Sequence, residues 1–503
     1  MATTRIMGMA SGMDIESIVK QLMTAEKKPL DKLNQNKQVM EWKREGYRET
    51  SVKLVTFAQS KISDIFSKAS ALNAQTTKVT GNTTAVTAKA TSSASGVMDI
   101  TVGSLAKAAS TKSLNAPTNT GSETDWGKVL LSDISGVNGA GQVKINGASI
   151  TIDTTETLNS FVDKINSTKA AGVTAIYNSS TGEVSITSKT TGAAGNSIEL
   201  DDSINSTGVF SSLGLGAKLA GGTDSSYIVN GLEMTNSSNT FTLNGVELTL
   251  NSVSTQATHI DVSKDTDKIV ETVQSFVDAY NELLSFLNTK VNEEKYSKYP
   301  PLTSDQKSGM SESEVDLWTN KAKSGMLKRD SILENTISEM RAAMVQGVKL
   351  ADGTSLNLTQ LGITTGGYET KGKLILDQDK LKTALNSNPD IVNDFFATNY
   401  STSFSNTEYT QSDGVFAKMK KISTKALNSL NTTAGTSKVS SELSAAFIND
   451  SIMGNQLRTL DTRISDMESR LTNKENSYYK KFTAMETAIN KYNNTSSSLS
   501  SFM

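Results

Sequence analysis

The chain has 503 residues, with 50 Lys and Arg against 52 Asp and Glu, a net charge of −2, no cysteine and a single histidine. That length exceeds what one hydrophobic core supports and points to about three or four domains. The balanced charge leaves no basic field for nucleic acid or an anionic membrane, and no apolar run approaches the roughly 20 residues of a membrane span. Without cysteine there are no disulfides or thiolate metal sites, and His259 alone makes no histidine metal cluster and no ordinary catalytic triad. Neither nucleic acid, membrane nor cofactor is expected, and the opening MATTRIMGMASGMD lacks the charged and apolar regions of a secretory signal.

Residues 11 to 14, Ser-Gly-Met-Asp, loosely match a capping box, and Ile15, Ile18, Val19, Leu22 and Met23 follow at helical spacing. The pattern predicts a short amphipathic helix, with Pro29 accepted as the first residue of a second helix from Leu30 to about Leu72. Unbroken, that second helix is a rod of about 65 Å. Leu33, Met40, Tyr47 and Leu54 repeat every seven residues along it, and Ala58, Ile65 and Leu72 continue on the neighbouring row.

From about Thr76 β-branched and polar residues alternate, as in Val97-Met98-Asp99-Ile100-Thr101-Val102, which predicts strands. Asn146-Gly147, Asn230-Gly231 and Asn244-Gly245 stand between short apolar runs. Asn-Gly tolerates the positive φ angles of a two-residue turn, so each predicts a tight hairpin. A fourth hairpin is expected around Thr181-Gly182, Leu158 to Ser167 has helical spacing, and Gly221-Gly222 marks a junction between two β-rich stretches. Helix returns from Thr266 to about Val291, where Ile269, Val273, Phe276, Val277, Tyr280, Leu283, Leu284 and Leu287 form a broad stripe. A polar loop at Tyr299-Pro300-Pro301 precedes a second helical block over Ser311 to Val345. Residues 352 to 378 are expected to be extended around glycines, Leu381 to Phe396 helical, and Ser401 to Ser412 a linker before helix resumes near Val415.

After a break at 432 to 441, a second seam runs to the C-terminus. Leu443, Asp450, Leu457, Ile464, Leu471, Tyr478, Met485, Tyr492 and Leu499 stand seven apart, with Phe447, Leu460, Met467, Phe482 and Ile489 between them. The two seams are expected to bury one another or the matching seams of other copies. Leu33, Met40, Tyr47 and Leu54 on the first, with Leu457, Leu460, Ile464, Met467, Leu471, Tyr478 and Met485 on the second, are the candidate assembly and partner-binding residues. Polar Asp450 and Lys474 weaken an isolated coil, so the helices are expected to order on assembly.

Candidate catalytic chemistry is sparse. Gly367-Tyr-Glu-Thr-Lys-Gly372-Lys373 nearly spells a phosphate loop, but Leu374 stands where the magnesium-binding hydroxyl belongs, and a strand-flanking turn fits better. His259 sits in a strand-like alternation without a second ligand. Gly214-Leu-Gly216 lacks the third glycine of a dinucleotide site, and Asp201-Asp202 reads as a solvated turn rather than a glycosidase pair. The reading is therefore non-enzymatic, with a secreted hydrolase disfavoured by the lack of groups that activate a nucleophile.

Gly8-Met-Ala-Ser-Gly12-Met-Asp14, Ile15-Glu-Ser-Ile-Val-Lys-Gln-Leu-Met23 and Glu26-Lys-Lys-Pro29-Leu30 resemble the start of the flagellar hook-associated protein 2 family, the bacterial filament caps. The resemblance continues through Trp42-Lys-Arg-Glu-Gly-Tyr47-Arg48, Tyr299 to Lys307, Trp318, Ala322 to Asp330 and Gly372 to Asp377. Residues 143 to 200, with Lys144-Ile-Asn-Gly147 and Phe161-Val-Asp-Lys-Ile-Asn166, resemble an insert shared among flagellar axial proteins.

The resemblance implies a structural cap at the distal end of the flagellar filament, promoting flagellin folding and polymerisation and preventing leakage of exported subunits. It implies a ring-shaped homo-oligomer, a pentamer being one candidate size. The implied partners are flagellin, the hook–filament junction proteins, and a flagellar export chaperone at the C-terminal helix, within residues 455 to 503. It implies an extracellular place at the flagellum tip, reached through the flagellar secretion channel without a cleaved signal peptide. The expected fold is an α+β multidomain one: long terminal helices form coiled-coil or helical-bundle domains, and β-rich plate domains are inserted between them. The expected layout is a terminal helical domain (1–40 and 460–503), a helical leg domain (41–75 and 266–459), an inner plate (76–115 and 221–265) and an outer plate (116–220) holding the insert. The alternatives are a hook–filament junction protein or flagellin-like axial protein, or a cell-surface adhesin using the Ser/Thr/Asn-rich plates.

Overall fold

Asp14 sets the start of helix α1 (Ile15–Val55): its carboxylate accepts from the Ser17 amide at 3.0 Å, satisfying one of the N–H groups that a helix start leaves open. The computed structural model describes residues 12–193, 197–203, 207–216, 221–403 and 406–500; Ser11, the first residue of the expected capping box, lies outside them. Pro29 does not open a new helix as the sequence suggested. It lies inside α1, where the Ala25 carbonyl loses its usual donor. Tertiary packing carries the helix through: Glu26 and Leu30, on either side of the proline, both meet the C-terminal helix. The α-helix ends earlier than expected. Thr56–Phe66 winds on as a π-helix, and Ala69–Leu72 forms α2.

The chain divides into two units, Met1–Leu72 with Thr266–Met503, and Asn73–Asp265. The second unit begins with β1 (Gln75–Gly81), β2 (Val86–Ala90), β3 (Val97–Ser104) and β4 (Ala108–Lys112). It continues through β5 (Gly141–Ile145), β6 (Ala148–Ile152), α3 (Leu158–Ser167), β7 (Val173–Tyr177), β8 (Val184–Thr191), β9 (Leu200–Asp201) and α4 (Val209–Ser212). It returns through β10 (Ser225–Val229), β11 (Leu232–Asn236), β12 (Thr240–Leu243), β13 (Val246–Leu250) and β14 (Thr258–Lys264).

A five-stranded antiparallel sheet, β1-β14-β3-β10-β11, and a three-stranded one, β12-β13-β2, share one core. Met98, Ile100 and Val102 turn inward along β3 while Val97 stays half exposed, as a period of two requires. A second core is built from β4-β8-β7, β6-β5-β9 and α3, with Phe161 and Phe210 6.2 Å apart at its centre. Both Asn and Gly have positive φ in all three expected Asn-Gly turns, 51° and 80° at Asn146-Gly147, for example, and each joins a paired hairpin. The fourth hairpin joins β7 to β8, and Gly182 in its turn has no room for a Cβ, which would stand 2.4 Å from the Trp126 ring. The chain leaves for the second core at Lys107 and comes back at Thr223, and these two residues bridge each other.

The remainder of the first unit holds α5 (Thr266–Asn292), α6 (Ser304–Ser308), α7 (Glu312–Lys323), α8 (Ser331–Gln346), β15 (Val348–Lys349), β16 (Ser355–Leu356), β17 (Ile363–Thr365) and β18 (Leu374–Leu376). Then come α9 (Gln378–Ser387), α10 (Ile391–Phe396), α11 (Val415–Ala434) and α12 (Ile452–Ser500). All eight residues of the α5 stripe are buried, and Phe276 packs within 5.1 Å of Phe396, 5.4 Å of Phe416 and 6.0 Å of Phe66, centroid to centroid. Two expected helices are split: Ser324 to Asp330 separates α7 from α8, and Pro389 falls between α9 and α10. The Gly367 to Lys373 stretch is the turn between β17 and β18, and His259 on β14 faces Asp99 on β3 with Nδ1 2.7 Å from the carboxylate.

The expected C-terminal seam starts too early. Gly435, in the left-handed region at φ 74°, closes α11, and residues 435–451 are not helical, so Leu443, Phe447 and Asp450 precede α12. Ser451 starts the helix by accepting the Gly454 amide at 3.1 Å.

Lys418 is fully buried on α11, its ammonium donating to the Gln346 side chain at 2.9 Å and to the Gly347 carbonyl, with the Tyr409 ring 5.8 Å away. Burial pulls its pKa down to about 8, against a smaller opposing pull from Asp413. Between that value and the ordinary one the folded state binds fewer protons than the unfolded, so stability rises with pH from about 8 upward. Urea denaturation from pH 8 to 9.5 should show wild type gaining about 1 to 2 kcal/mol over Lys418→Met; parallel profiles would contradict this. Limited proteolysis should release a stable fragment of about 75 to 265, whose terminal strands β1 and β14 pair from Gln75–Lys264 to Gly81–Thr258. A resistant core that retains residues 12 to 40 in place of that fragment would count against its independence.

Candidate assembly surface on the terminal helices

Along α1 the apolar residues Ile15, Val19 and Met23 fall on one face, and the residues that cover them come from α12: Leu471 is buried with them, and Met467, Tyr478, Tyr479 and Phe482 pack around. Two polar links set the register. Lys37 meets Asp461 at 2.7 Å, and Glu26 meets both Lys474 at 3.1 Å and the Tyr478 hydroxyl at 3.0 Å. Numbers fall along α1 as they rise along α12, so the pair is antiparallel. Hydrogen bonds from Lys474 and Tyr478 hold the Glu26 carboxyl below its usual range, while the bond to Glu26 pushes the Tyr478 phenol up and that to Asp461 pushes Lys37 up. These are exposed pairs, worth little in stability, and their value is alignment.

The predicted residues separate into two groups. Tyr47 and Leu54 are 3% and 1% exposed and belong to the unit's own core; the Tyr47 hydroxyl donates to Asp330 at 2.5 Å, and Asp330 in turn accepts the Ile332 and Leu333 amides at the start of α8. Leu471 is buried between the two terminal helices. Leu33, Met40, Leu457, Leu460, Ile464, Met467, Tyr478 and Met485 are half-buried. Further along α12, Tyr492 and Leu499 are 76% and 64% exposed.

Sequence reasoning missed the clasp that holds the segment before α12. Arg44 donates to the carbonyls of Ala434 at 2.7 Å and Ile448 at 3.0 Å, Arg48 to that of Ala445, and both guanidinium groups stack on Phe447, 4.1 and 4.6 Å from its centroid. The only hint was two arginines one turn apart beside Tyr47. Among the described residues no group of three or more His, Asp or Glu side chains is placed to hold a metal ion, and no helix is long and apolar enough to cross a membrane.

A long antiparallel pair of terminal helices, on a chain that also carries a separate β-rich unit, defines a multidomain α+β protein with its β-rich part inserted between helical ends. A model of the flagellar hook-associated protein 2 C-terminus matches residues 222–494, and one of its N-terminus matches residues 11–109. The chain belongs to the flagellar hook-associated protein 2 family, whose members are structural proteins of the flagellar filament cap. It is similar to flagellar hook-associated protein 2 of Halalkalibacterium halodurans, with 29% identity over 99% of both chains. It is also similar to that of Thermotoga maritima, with 32% identity over 70% of this chain and 53% of the relative. Its fold is similar to that of the D1-D2-D3 domains of the flagellar cap protein FliD from Escherichia coli, with a TM-score of 0.54 and 23% identity over 78% of this chain and 97% of that one. The stretch outside both family matches, 110–221, holds nearly all of the second β-rich core.

The two groups of seam residues should separate by stability. Tyr47→Phe leaves the buried Asp330 carboxylate one donor short and should cost about 1 to 3 kcal/mol in urea denaturation, whereas Met40→Ala, half-buried, should cost about 1 kcal/mol or less. Equal costs for the two would show that the division by burial is wrong.

Proposed function

We propose that this chain caps the distal end of the flagellar filament as a ring of identical copies. There it promotes flagellin folding and polymerisation and keeps exported subunits from escaping. The single observation that carries the reading is the half-buried apolar row on α12 in its antiparallel pair with α1: Leu457, Leu460, Ile464, Met467, Tyr478 and Met485 keep apolar area that partners can cover. Leu33 and Met40 extend that surface, Leu471 holds the pair together, and Tyr47 and Leu54 hold α1 to its own unit. Family membership supports the cap role, and the E. coli structure supports the fold.

On this reading the helical segments 1–40 with 460–503 reach into the filament, 41–75 with 266–459 form the leg, and the plates 76–115 with 221–265 and 116–220 close the channel. The protein has no catalytic role. It is exported through the flagellar secretion channel to the filament tip, a chaperone covering the C-terminal helix beforehand. Flagellin and the hook–filament junction proteins are its neighbours.

The test is the triple substitution Ile464→Asp, Leu471→Asp and Met485→Asp. It should leave the Asn73–Asp265 unit folded by circular dichroism, abolish chaperone binding, and send flagellin into the medium in place of filament growth. Normal filaments from that strain would remove the seam as the docking surface.

A further inference from the structure

The charges beside the apolar row of α12 are sorted by flank. With Leu457, Ile464, Leu471 and Tyr478 as the first position of each heptad, Leu460 and Met467 stand at the fourth, and the fifth and seventh positions border the row on either side. The fifth position holds Asp461, Glu468 and Glu475, and the seventh holds Gln456, Arg463 and Arg470. Acids therefore run down one flank and arginines down the other, while Arg458 and Asp466, at the second and third positions, lie off both. Within the subunit only one of the flanking charges is paired. Asp461 meets Lys37 of α1 at 2.7 Å, whereas Arg463, Glu468, Arg470 and Glu475 form no ion pair or side-chain hydrogen bond among the described residues. Arg463, Glu468 and Arg470 are exposed, Glu475 is half-buried, and so are Leu457, Leu460, Ile464 and Met467 between the flanks.

Charges at the fifth and seventh positions set the partner and the direction of a coiled coil. Between parallel helices in register, a seventh-position residue faces the fifth-position residue five places further along its neighbour; between antiparallel helices, like positions face each other. Arg463 stands five places before Glu468, and Arg470 five before Glu475. A parallel copy of the same helix thus makes both pairs attractive, and an antiparallel copy sets arginine against arginine and acid against acid. Asp461 fits the same scheme: the residue five places before it is the uncharged Gln456, and it is the acid that Lys37 already neutralises. We infer that the row on α12 receives α12 of a second copy of this chain, parallel and in register, with Arg463 against Glu468 and Arg470 against Glu475 of the neighbouring copy. Leu457, Leu460, Ile464 and Met467 close the seam between the two helices. The contact rests on the ring reading above and names what covers the row there. It ends where Lys474, bound to Glu26, takes the fourth position in place of an apolar residue. In a ring each copy turns its arginine flank to one neighbour and its acid flank to the other, so the same contact repeats at every junction. Exposed ion pairs are weak singly, and their effect here is to fix direction and register.

The test is sedimentation of the full chain at low salt for four proteins: wild type, Arg463→Glu with Arg470→Glu, Glu468→Arg with Glu475→Arg, and all four substitutions together. Each one-flank reversal turns two attractive pairs per junction into repulsive ones and should weaken self-association about tenfold or more, less so in about 0.5 M salt. The fourfold variant should recover wild-type association, because arginine and acid again meet across the junction. The two one-flank variants shift net charge in opposite directions, so a loss in both does not come from net charge. Circular dichroism of all four proteins should coincide, since none of the four side chains belongs to the buried core. A wild type that stays monomeric at every concentration overturns the ring reading and this contact together. Wild-type self-association that both one-flank variants keep at full strength leaves the ring standing, overturns the contact, and assigns the row to a different protein. Loss in the one-flank variants without recovery in the fourfold one also overturns it, because the charges then meet other groups.

Discussion

The first helix is completed only by residues near the other end of the chain, and the first unit is organised around that fact. Arg44 reaches carbonyls at Ala434 and Ile448, Lys37 reaches Asp461, and Glu26 reaches Lys474 and Tyr478. Closing contacts across some 400 residues costs conformational entropy before any burial offsets it. Whatever lies between must therefore leave the helical unit and come back to where it left. The Asn73–Asp265 unit meets that demand, because its first and last strands pair along their whole length and bring its two ends together.

The same rule operates once more inside the β-rich unit. Lys107 and Thr223 bridge each other, and the chain between them builds a second core without taking residues from the first. With no cysteine to staple these excursions, hydrogen bonds finish the strands, and asparagine side chains are used repeatedly. Asn166 bonds both the amide and the carbonyl of Ala175, Asn239 those of Ala106, and Asn281 those of Leu374. Each carboxamide supplies the donor and acceptor that a neighbouring peptide would have offered, leaving no open pair at that point of the backbone.

Energetics and function divide along the helices in a consistent way. Where α1 runs beside α5, α8 and α11 its residues are sealed, as at Tyr47 and Leu54, and polar contacts there are buried and costly to break. Where it runs beside α12 a small core of Ile15, Val19, Met23 and Leu471 is buried, the apolar residues around it are only half-buried, and the charges are exposed and cheap to exchange. A cap must remain attached to something that grows beneath it. Half-buried apolar residues on the terminal helices, beside a sealed core, suit the cap role proposed above, because their remaining apolar area can be covered without breaking that core.

Properties decided within a few residues were legible in the sequence. The Asn-Gly turns at 146, 230 and 244, the helix Leu158–Ser167 and the eight-residue stripe of α5 follow from allowed φ angles and from the periods of strand and helix, which need no distant partner. The heptad rows likewise showed that the ends are helical and apolar on one side. What the sequence left open were matters settled by a residue hundreds of positions away. Pro29 looked like a helix start until α12 covered both its flanks, and Leu443 and Phe447 continued the heptad although Arg44 and Arg48 had claimed that segment as a clasp. Tyr47 matched Met40 in spacing, yet Asp330 drew it into the core. A period records which side of a helix is apolar, whereas which partner covers that side is decided only when the packed chain brings the two surfaces together.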